Sequence, residues 1–231
     1  LPLVDILSEL TGQPFAAIRK LLTNLDGNAA YASEKPRGVL KLPAGLGPLL
    51  TIHKRYLKGR GFNPTELQKL WDIQGIGLAS QWAWRVFIPI YLNGRMVSWT
   101  TRATSDEVKA KYGNARPDEE AVSAKTLLGG EDYVRHAVAV CEGPLDAMNL
   151  GPGCVWTGGI DVKRSQVLRI AKYPIRAIVF DSEPKAQQRA KAMCEALTCY
   201  PGKTIRIELD APDPGSASAK EVKRLRKAVL E

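Results

Sequence analysis

Hydrophobic residues recur along the first part of the chain with a helical period. Before residue 27 they are spaced three and four positions apart, in two sets separated by Gly12 and Pro14, which predicts two short helices. A further helix is expected near residues 48–58. Asn63 and Pro64 then predict the cap and first turn of a helix that ends near Trp71.

The middle of the chain has the alternating pattern of β-strands. Residues 85–92 and 95–101 are rich in β-branched and aromatic side chains, and Asn93-Gly94 between them predicts a tight hairpin turn. Residues 105–133 are polar and turn-rich, which predicts a surface loop. The tryptophans of this region predict core or hairpin packing rather than base stacking: Trp82, Trp84 and Trp99.

From residue 137 onward, short apolar runs alternate with helical segments. The predicted strands are 137–141, 154–157, 175–180 and 204–209, and the predicted helices are 144–150, 162–171 and 184–198. Right-handed crossovers turn such a series into a parallel sheet with helices on its faces. We therefore predict an α/β fold, a parallel sheet flanked by helices and preceded by a smaller mixed α+β lobe. A basic amphipathic helix from about residue 217 completes it.

Charge indicates an anionic partner. The 231 residues carry 33 Lys and Arg against 24 Asp and Glu, a net charge of +9, and residues 35–65 contain no acid. No apolar run is long enough to span a membrane and no secretory signal is present, so we expect a cytoplasmic protein without a membrane partner. The four cysteines form no C-x-x-C pair and only His53 and His136 accompany them, which argues against structural zinc and for reduced thiols and structural histidines.

Acidic residues follow three of the four predicted parallel strands. Glu142 follows the first strand, Asp181 and Glu183 follow the third, and Asp210 and Asp213 follow the fourth. The carboxyl ends of parallel strands meet at one edge of a sheet, where ligands commonly bind. Carboxylates crowded there repel one another unless divalent cations neutralise them, which predicts Mg²⁺, or Mn²⁺ in its place. Asp210 also fits a plain turn residue.

Glu142-Gly143-x-x-Asp146-Ala147 and Asp181-x-Glu183 resemble the two signature motifs of the Toprim domain of bacterial-type primases, topoisomerases and certain nucleases. Upstream segments resemble, in content and order, the basic half of the RNA polymerase core of the bacterial-type (DnaG-like) DNA primase, which topoisomerases lack. These segments are Arg60-Gly61-Phe62, residues 86–90, Asn93-Gly94-Arg95, Arg102 and Lys111-Tyr112-x-Asn114. The resemblance covers residues 50–215.

This resemblance implies a domain plan and a function. The expected parts are a helical and basic segment (1–50), a basic lobe (51–134), a Toprim domain (135–215) and a basic C-terminal helix (216–231). The implied activity is metal-dependent synthesis of short RNA primers on single-stranded DNA from ribonucleoside triphosphates. A phage- or plasmid-type enzyme in a bacterial or phage-infected cell fits the absence of recognisable zinc-binding and helicase-binding domains. A replicative helicase is a possible partner.

The resemblance also implies residue roles. The catalytic residues would be Glu142, Asp181 and Glu183, and the metal ligands would be these three with Asp213 and Asp146. Phosphate and nucleotide contacts would come from Arg60, Arg102, Lys111, Asn114 and Lys125. Glu142 fits either metal binding or proton transfer, whereas Asp146 fits either support of the cluster or a charge in the first turn of its helix.

Three departures from the family pattern keep two alternatives open. Glu183 stands where the family usually has Asp, Pro184-Lys185 replaces an Ala-Gly pair, and Asp213-Pro214-Gly215 lacks a last acid. A longer carboxylate still binds metal but shifts it by about one bond length. The alternatives are a Toprim-type nuclease that hydrolyses phosphodiesters, which the basic lobe argues against, and a non-catalytic nucleic-acid-binding module.

Overall fold

The computed structural model describes residues 38–78, 81–105, 107–159 and 161–230, which belong to a compact unit that begins at Gly38. The two helices predicted before residue 27 lie outside the described residues. The remainder contains two β-sheets, one antiparallel and one parallel. The predicted fold class is therefore confirmed. Within the described ranges, no helix is long and apolar enough to cross a membrane, and all four cysteines are free thiols.

The first half of the described chain forms the antiparallel sheet, whose strand order follows the sequence, β1-β2-β3-β4-β5. Its elements are β1 (Leu46–Gly47), α1 (Thr51–Gly59), α2 (Pro64–Trp71), β2 (Gln74–Ile76), β3 (Arg85–Leu92), β4 (Arg95–Ala103) and β5 (Tyr112–Asn114). The Asn63 side chain caps α2 by accepting the amide N–H groups of Thr65 and Glu66, as predicted.

The β3–β4 hairpin turns at Asn93 and Gly94, whose φ angles of 54° and 74° give the left-handed backbone that a two-residue turn requires. Both amides donate to the Asp132 carboxylate, at 3.0 and 2.6 Å. The predicted hairpin is confirmed, and a side chain 38 residues or more away in sequence fixes its turn.

The second half forms the parallel sheet in the order β7-β6-β8-β9. Its elements are β6 (Ala137–Cys141), α3 (Pro144–Leu150), β7 (Cys154–Trp156), α4 (Arg164–Ala171), β8 (Ile175–Ile178), α5 (Pro184–Leu197), β9 (Lys203–Arg206) and α6 (Ala219–Val229). Each predicted strand and helix of this region is present, with ends that differ by three residues at most. The crossover pattern predicts β6 and β7 best, because both are fully buried apolar runs, whereas β8 contains Arg176 and β9 begins and ends with a basic residue.

One apolar core joins the two sheets. Ile88 and Val97 of the antiparallel sheet belong to the same buried cluster as Ala139 and Val179 of the parallel sheet. Trp71 of α2 packs between Tyr133 and Trp156, with ring centroids 4.8 and 6.2 Å away. The parallel sheet is therefore held at a fixed position against the antiparallel one.

The structure corrects several expectations. Residues 105–133 are not a plain surface loop, because Tyr112–Asn114 forms β5 and Leu127 and Leu128 are fully buried. Trp84 is 40% exposed and does not pack in the core, whereas Trp99 is buried with Trp82 against its edge. The strands β1 and β2 were not predicted, since two or three residues are too few to show an alternating pattern.

Candidate active site

Acidic side chains gather at the carboxyl edge of the parallel sheet, as the strand pattern predicts. Val140 pairs with Ile178, so Glu142 after β6 and Asp181 after β8 leave neighbouring strands at the same level. Asp146 lies in the first turn of α3, and Asp213 lies just before a short 3₁₀ helix, Pro214–Ser216. We call these four residues the acidic edge.

Hydrogen bonds from three directions hold the segment that carries Asp213. The amide and hydroxyl of Ser182 donate to the carbonyl of Pro212, at 2.8 and 3.0 Å. The Asn149 side-chain amide donates to the carbonyls of Pro214 and Ala217, at 2.8 and 3.0 Å. Asp213 is thereby tied both to the loop of Asp181 and to the helix of Asp146.

Glu221 of α6 holds the start of this segment by hydrogen bonds to its backbone. Its carboxylate accepts the amides of Asp210 and Ala211, at 2.9 and 3.2 Å, and it also accepts the amide and hydroxyl of Ser218. Asp210 itself is exposed, its amide is held by Glu221, and its carboxylate lies 3.6 Å from the Arg224 guanidinium of α6, which agrees with the turn role considered for it.

Asp146 packs between two glycines. The Gly143 amide donates to its Oδ2 at 3.0 Å, and a Cβ on Gly215 would lie 2.6 Å from its Oδ1 and 3.1 Å from the Oδ1 of Asp213. Gly215, where the family usually has an acid, therefore leaves space for the carboxylates of Asp146 and Asp213. Burial first, and then the charges of Asp181 and Asp213, raises the pKa of Asp146 to about 7.

Three carboxylate oxygens of the acidic edge are buried and accept no hydrogen bond from the residues that the structure describes. They are Oε1 of Glu142, Oδ1 of Asp181 and Oδ1 of Asp213. Burial raises the pKa of Glu142 and of Asp181, and neighbouring carboxylates raise both further. A buried anionic oxygen without a donor costs free energy, so three together mark an edge suited to binding cations.

The acidic edge fits divalent cations that keep much of their own water. In the described part of the chain, no three acidic, histidine or cysteine side chains are arranged to enclose one ion. Mg²⁺ characteristically binds one or two carboxylates and completes its shell with water and phosphate oxygens, so an open edge of single carboxylates suits it better than a closed cage would. The unpartnered oxygens are the atoms that would hold it.

Glu183 lies apart from the buried acids. It is exposed, precedes α5 as its N-terminal cap residue, and its side chain makes no cap hydrogen bond. Its charge still raises the pKa of Glu142 and of Asp181. The exposed carboxylate can reach a ligand at the edge, but it does not help to form the buried cluster.

The antiparallel sheet brings a tyrosine to the acidic edge. The hydroxyl of Tyr112 in β5 lies 3.5 Å from the position that a Cβ on Gly143 would occupy. Burial raises the pKa of Tyr112 to about 12; the charge of Arg102 opposes this shift and that of Asp146 adds to it. Tyr112 stands within the Lys111-Tyr112-x-Asn114 motif, but nothing in the sequence indicates that its hydroxyl faces Gly143.

Arg102 lies beneath this tyrosine rather than on the surface. It is only 8% exposed, its Nε donates to the Tyr56 hydroxyl at 2.7 Å, and its guanidinium lies 4.8 Å from the centroid of the Tyr112 ring. Arg102 and Tyr56 therefore fix the orientation of Tyr112.

The remaining predicted phosphate contacts are exposed: Arg60, Lys111, Asn114 and Lys125. Arg60 is close enough to lower the pKa of Tyr112, which brings its charge near the acidic edge. Asn114 is two residues beyond Tyr112 on β5 and so lies on the same face of the sheet. Lys125, on a separate 3₁₀ helix, is not brought into this group.

No family model matches the chain, and no curated protein matches it in sequence. Solved structures do match. The structure of the Aquifex aeolicus primase (zinc-binding and RNA polymerase domains) aligns with 98% of this chain and 70% of its own at a TM-score of 0.67 and 15% identity. The chain has the fold of DnaG-type primase cores.

Two further structures share this fold. The DnaG catalytic core matches over 80% of this chain and 66% of its own, with a TM-score of 0.54 and 16% identity. The primase fragment of the bacteriophage T7 primase-helicase protein matches over 84% of this chain and 83% of its own, with a TM-score of 0.56 and 14% identity. The likeness therefore extends to both bacterial-type and phage primases.

Proposed function

We propose that this chain is the catalytic core of a DNA primase that joins ribonucleotides into short primers on single-stranded DNA. The observation that carries the proposal is the set of unpartnered carboxylate oxygens of Glu142, Asp181 and Asp213 at one edge of a primase-type fold. We expect the protein to work in the cytoplasm of a bacterial or phage-infected cell, with a replicative helicase as a candidate partner.

The reaction sets clear demands on such an edge. The 3′-oxygen of one nucleotide attacks the α-phosphorus of the next triphosphate, and the bond to pyrophosphate breaks. Negative charge accumulates on phosphate oxygens, so the site must supply opposite charge without adding its own repulsion. Carboxylates alone would repel the phosphate oxygens and oppose the reaction. They can favour it only by binding cations.

Glu142, Asp181 and Asp213 would hold Mg²⁺ or Mn²⁺, with Glu183 and Asp146 at its margin. A bound divalent ion supplies neutralising charge for the phosphate oxygens and a lower pKa for the attacking hydroxyl. Asp146, with its pKa of about 7, is part protonated at neutral pH and lessens the repulsion inside the acidic edge.

The exposed basic residues of the first half of the described chain would bind the template and the triphosphate. Arg60 and Lys111 are exposed and can follow phosphates, and Asn114 adds a neutral hydrogen-bonding group. Lys125, on its separate 3₁₀ helix, would contact the template away from this group. Arg102 acts through Tyr112, whose hydroxyl it keeps directed at the turn between β6 and α3.

A single assay tests the proposal. The protein is incubated with Mn²⁺ or Mg²⁺, single-stranded DNA and labelled ribonucleotides, and both strands are sized on a gel. We expect short new RNA that disappears in Asp181→Asn and persists in Glu195→Gln, which removes an exposed acid at the far end of α5. Shortened template would instead indicate a nuclease, and intact template without product a binding module, and either would refute the primase assignment.

A further inference from the structure

Arg189 on α5 has one half of its guanidinium paired and the other half unpaired. Its Nη2 lies 3.3 Å from Oδ1 of Asp161, which follows β7, and its side chain is 29% exposed. Its Nη1 is buried and has no hydrogen-bond partner within the described part of the chain. A buried cationic donor without an acceptor is as costly as a buried anionic oxygen without a donor, so it needs an explanation of its own.

The helix that carries Arg189 begins beside the acidic edge. The first turn of α5 is fixed at the end of β8, because Gln187 donates to the carbonyls of Phe180 and Asp181 at 3.2 and 2.8 Å. The charge of Arg189 also lowers the pKa of Glu142. Even so, these two described side chains do not form an ion pair, and each keeps a buried atom without a partner.

A ligand that carries both charges would satisfy both atoms. A divalent cation suits the Glu142 oxygen, and a phosphate oxygen bound to the same cation suits the Arg189 guanidinium, whose planar fork matches phosphate geometry. Gly158 and Gly159, in the loop before Asp161, border open space, since a Cβ on either would meet nothing within 4 Å. The backbone of that loop is therefore not covered by other described residues and is accessible to such a group.

We propose that Arg189 binds the pyrophosphate portion of the incoming nucleoside triphosphate, while Asp161 holds the guanidinium when that ligand is absent. The inference rests on the proposed function, because it assumes that the acidic edge holds cations for a triphosphate. Arg189 would add a phosphate contact from a helix of the parallel-sheet half to those expected from the antiparallel half. The sequence pattern did not indicate this contact. Asp161 then competes with the ligand for Arg189.

Pyrophosphate titrated calorimetrically into the Mn²⁺-loaded protein tests this contact. We expect Arg189→Gln to weaken pyrophosphate binding about tenfold, as for loss of one charge-assisted hydrogen bond. Asp161→Asn should tighten it about two- to threefold, because the competing carboxylate, itself 86% exposed, is only weakly paired. Lys191→Gln, an equal loss of charge on the same helix, is the control and should change nothing.

Mn²⁺ binding alone, followed by electron paramagnetic resonance, separates the phosphate contact from damage to the acidic edge. Arg189→Gln should leave Mn²⁺ affinity within about twofold, since the buried carboxylates remain. Arg189→Lys, which keeps the charge but not the fork, should bind pyrophosphate with intermediate affinity. Thermal melts of each variant report whether the fold is retained.

Several results would overturn the inference. Equal weakening in Arg189→Gln and Asp161→Asn would mean that the pair is only structural. A loss of Mn²⁺ binding that matches the loss of pyrophosphate binding, an unchanged affinity in Arg189→Gln, or a wild type that binds no pyrophosphate would each refute it. If the opposite effects of the two variants are seen but no primers are made, Arg189 stands as a pyrophosphate contact and the primase proposal fails instead.

Discussion

Buried charge is treated in opposite ways at two places in the molecule. In the antiparallel sheet, Arg85 is 7% exposed, yet its guanidinium donates to the carbonyls of Ala110 and Lys111 at 2.7 and 3.3 Å. Arg102 is likewise buried and hydrogen-bonded to Tyr56. At the edge of the parallel sheet, one buried oxygen each of Glu142, Asp181 and Asp213 has no donor among the described side chains and amides.

This contrast separates charge that belongs to the fold from charge that awaits a ligand. A buried ion whose hydrogen bonds are all made inside the protein stabilises one conformation and offers nothing to a partner. A buried ion with unused lone pairs keeps its binding capacity and lowers stability until a counter-ion arrives. The distinction can be tested because substitutions in the two sheets should fail in different assays.

The largest effect is expected from Glu142→Gln. It removes an anionic oxygen of the acidic edge without changing its size, so primer synthesis should fall about a thousandfold or more while template binding stays within about twofold. Initial rates with saturating Mn²⁺ and gel-shift titrations measure the two quantities. Retained synthesis would remove Glu142 from the catalytic machinery.

Next in size is a purely structural loss in the antiparallel sheet. Arg85→Met leaves the Ala110 carbonyl without its donor and takes one of two donors from the Lys111 carbonyl, which keeps the Ala103 amide. It should lower the free energy of unfolding by about 3 kcal/mol in urea denaturation. The control Arg95→Met, at the exposed start of β4, should lower the free energy of unfolding by less than about 0.5 kcal/mol. A stable Arg85→Met variant that no longer binds template would reverse the contrast drawn above.

The acidic edge should make the stability of the fold depend on pH. The folded-state pKa of Asp146 is about 7, against an ordinary value of 3.8, so the folded protein holds a proton there that the unfolded chain releases. Stability without metal should therefore fall as pH rises from about 4 to about 7, by about 3 kcal/mol, which lowers Tm by about 9 °C.

Divalent cations bind the ionised form, so Mn²⁺ should raise Tm more at pH about 8 than at pH about 5. The variant Asp146→Asn should flatten the metal-free profile. Scanning calorimetry across this range provides the measurement. A metal-free Tm that climbs through the window would mean that Asp146 is stabilised as an anion.

The smallest effect concerns a single exposed cation. Lys111→Gln should weaken single-stranded DNA binding several-fold and reduce the slope of log K against log salt by about 0.7, the value for one phosphate contact on a single strand. Unfolding should be unaffected, because Lys111 contributes to the sheet through its backbone carbonyl. An unchanged slope would exclude it from the binding surface.

Sequence reasoning succeeds where the backbone alone decides the outcome. Glu142 and Asp181 could be predicted to meet because each directly follows an apolar strand, and parallel register brings adjacent strand ends to one level. The hairpin at Asn93-Gly94 was equally predictable, since few dipeptides accept two positive φ angles.

Sequence reasoning fails where side chains distant in sequence decide burial. Arg102 resembles a surface phosphate contact until Tyr56, 46 residues earlier, covers it. In the sequence, Arg189 resembles any basic residue on an exposed helix face. Only its ion pair with Asp161 and its position near the acidic edge distinguish it. Strand β5 could not be predicted, because its sequence contains residues that are typical of turns. Its Gly113 is required because Trp82 packs against it and leaves no space for a side chain.

The bond between Glu221 and the amides of Asp210 and Ala211 bears on how fragments of this protein should be chosen. A shortened version that stopped after residue 216 would retain every recognisable motif. It would nevertheless loosen the segment that carries Asp213, because the anchor at Glu221 and the Ala217 carbonyl held by Asn149 would both be missing and only the bonds to Pro212 and Pro214 would remain. Any trimmed version meant to keep its chemistry must therefore include the last helix.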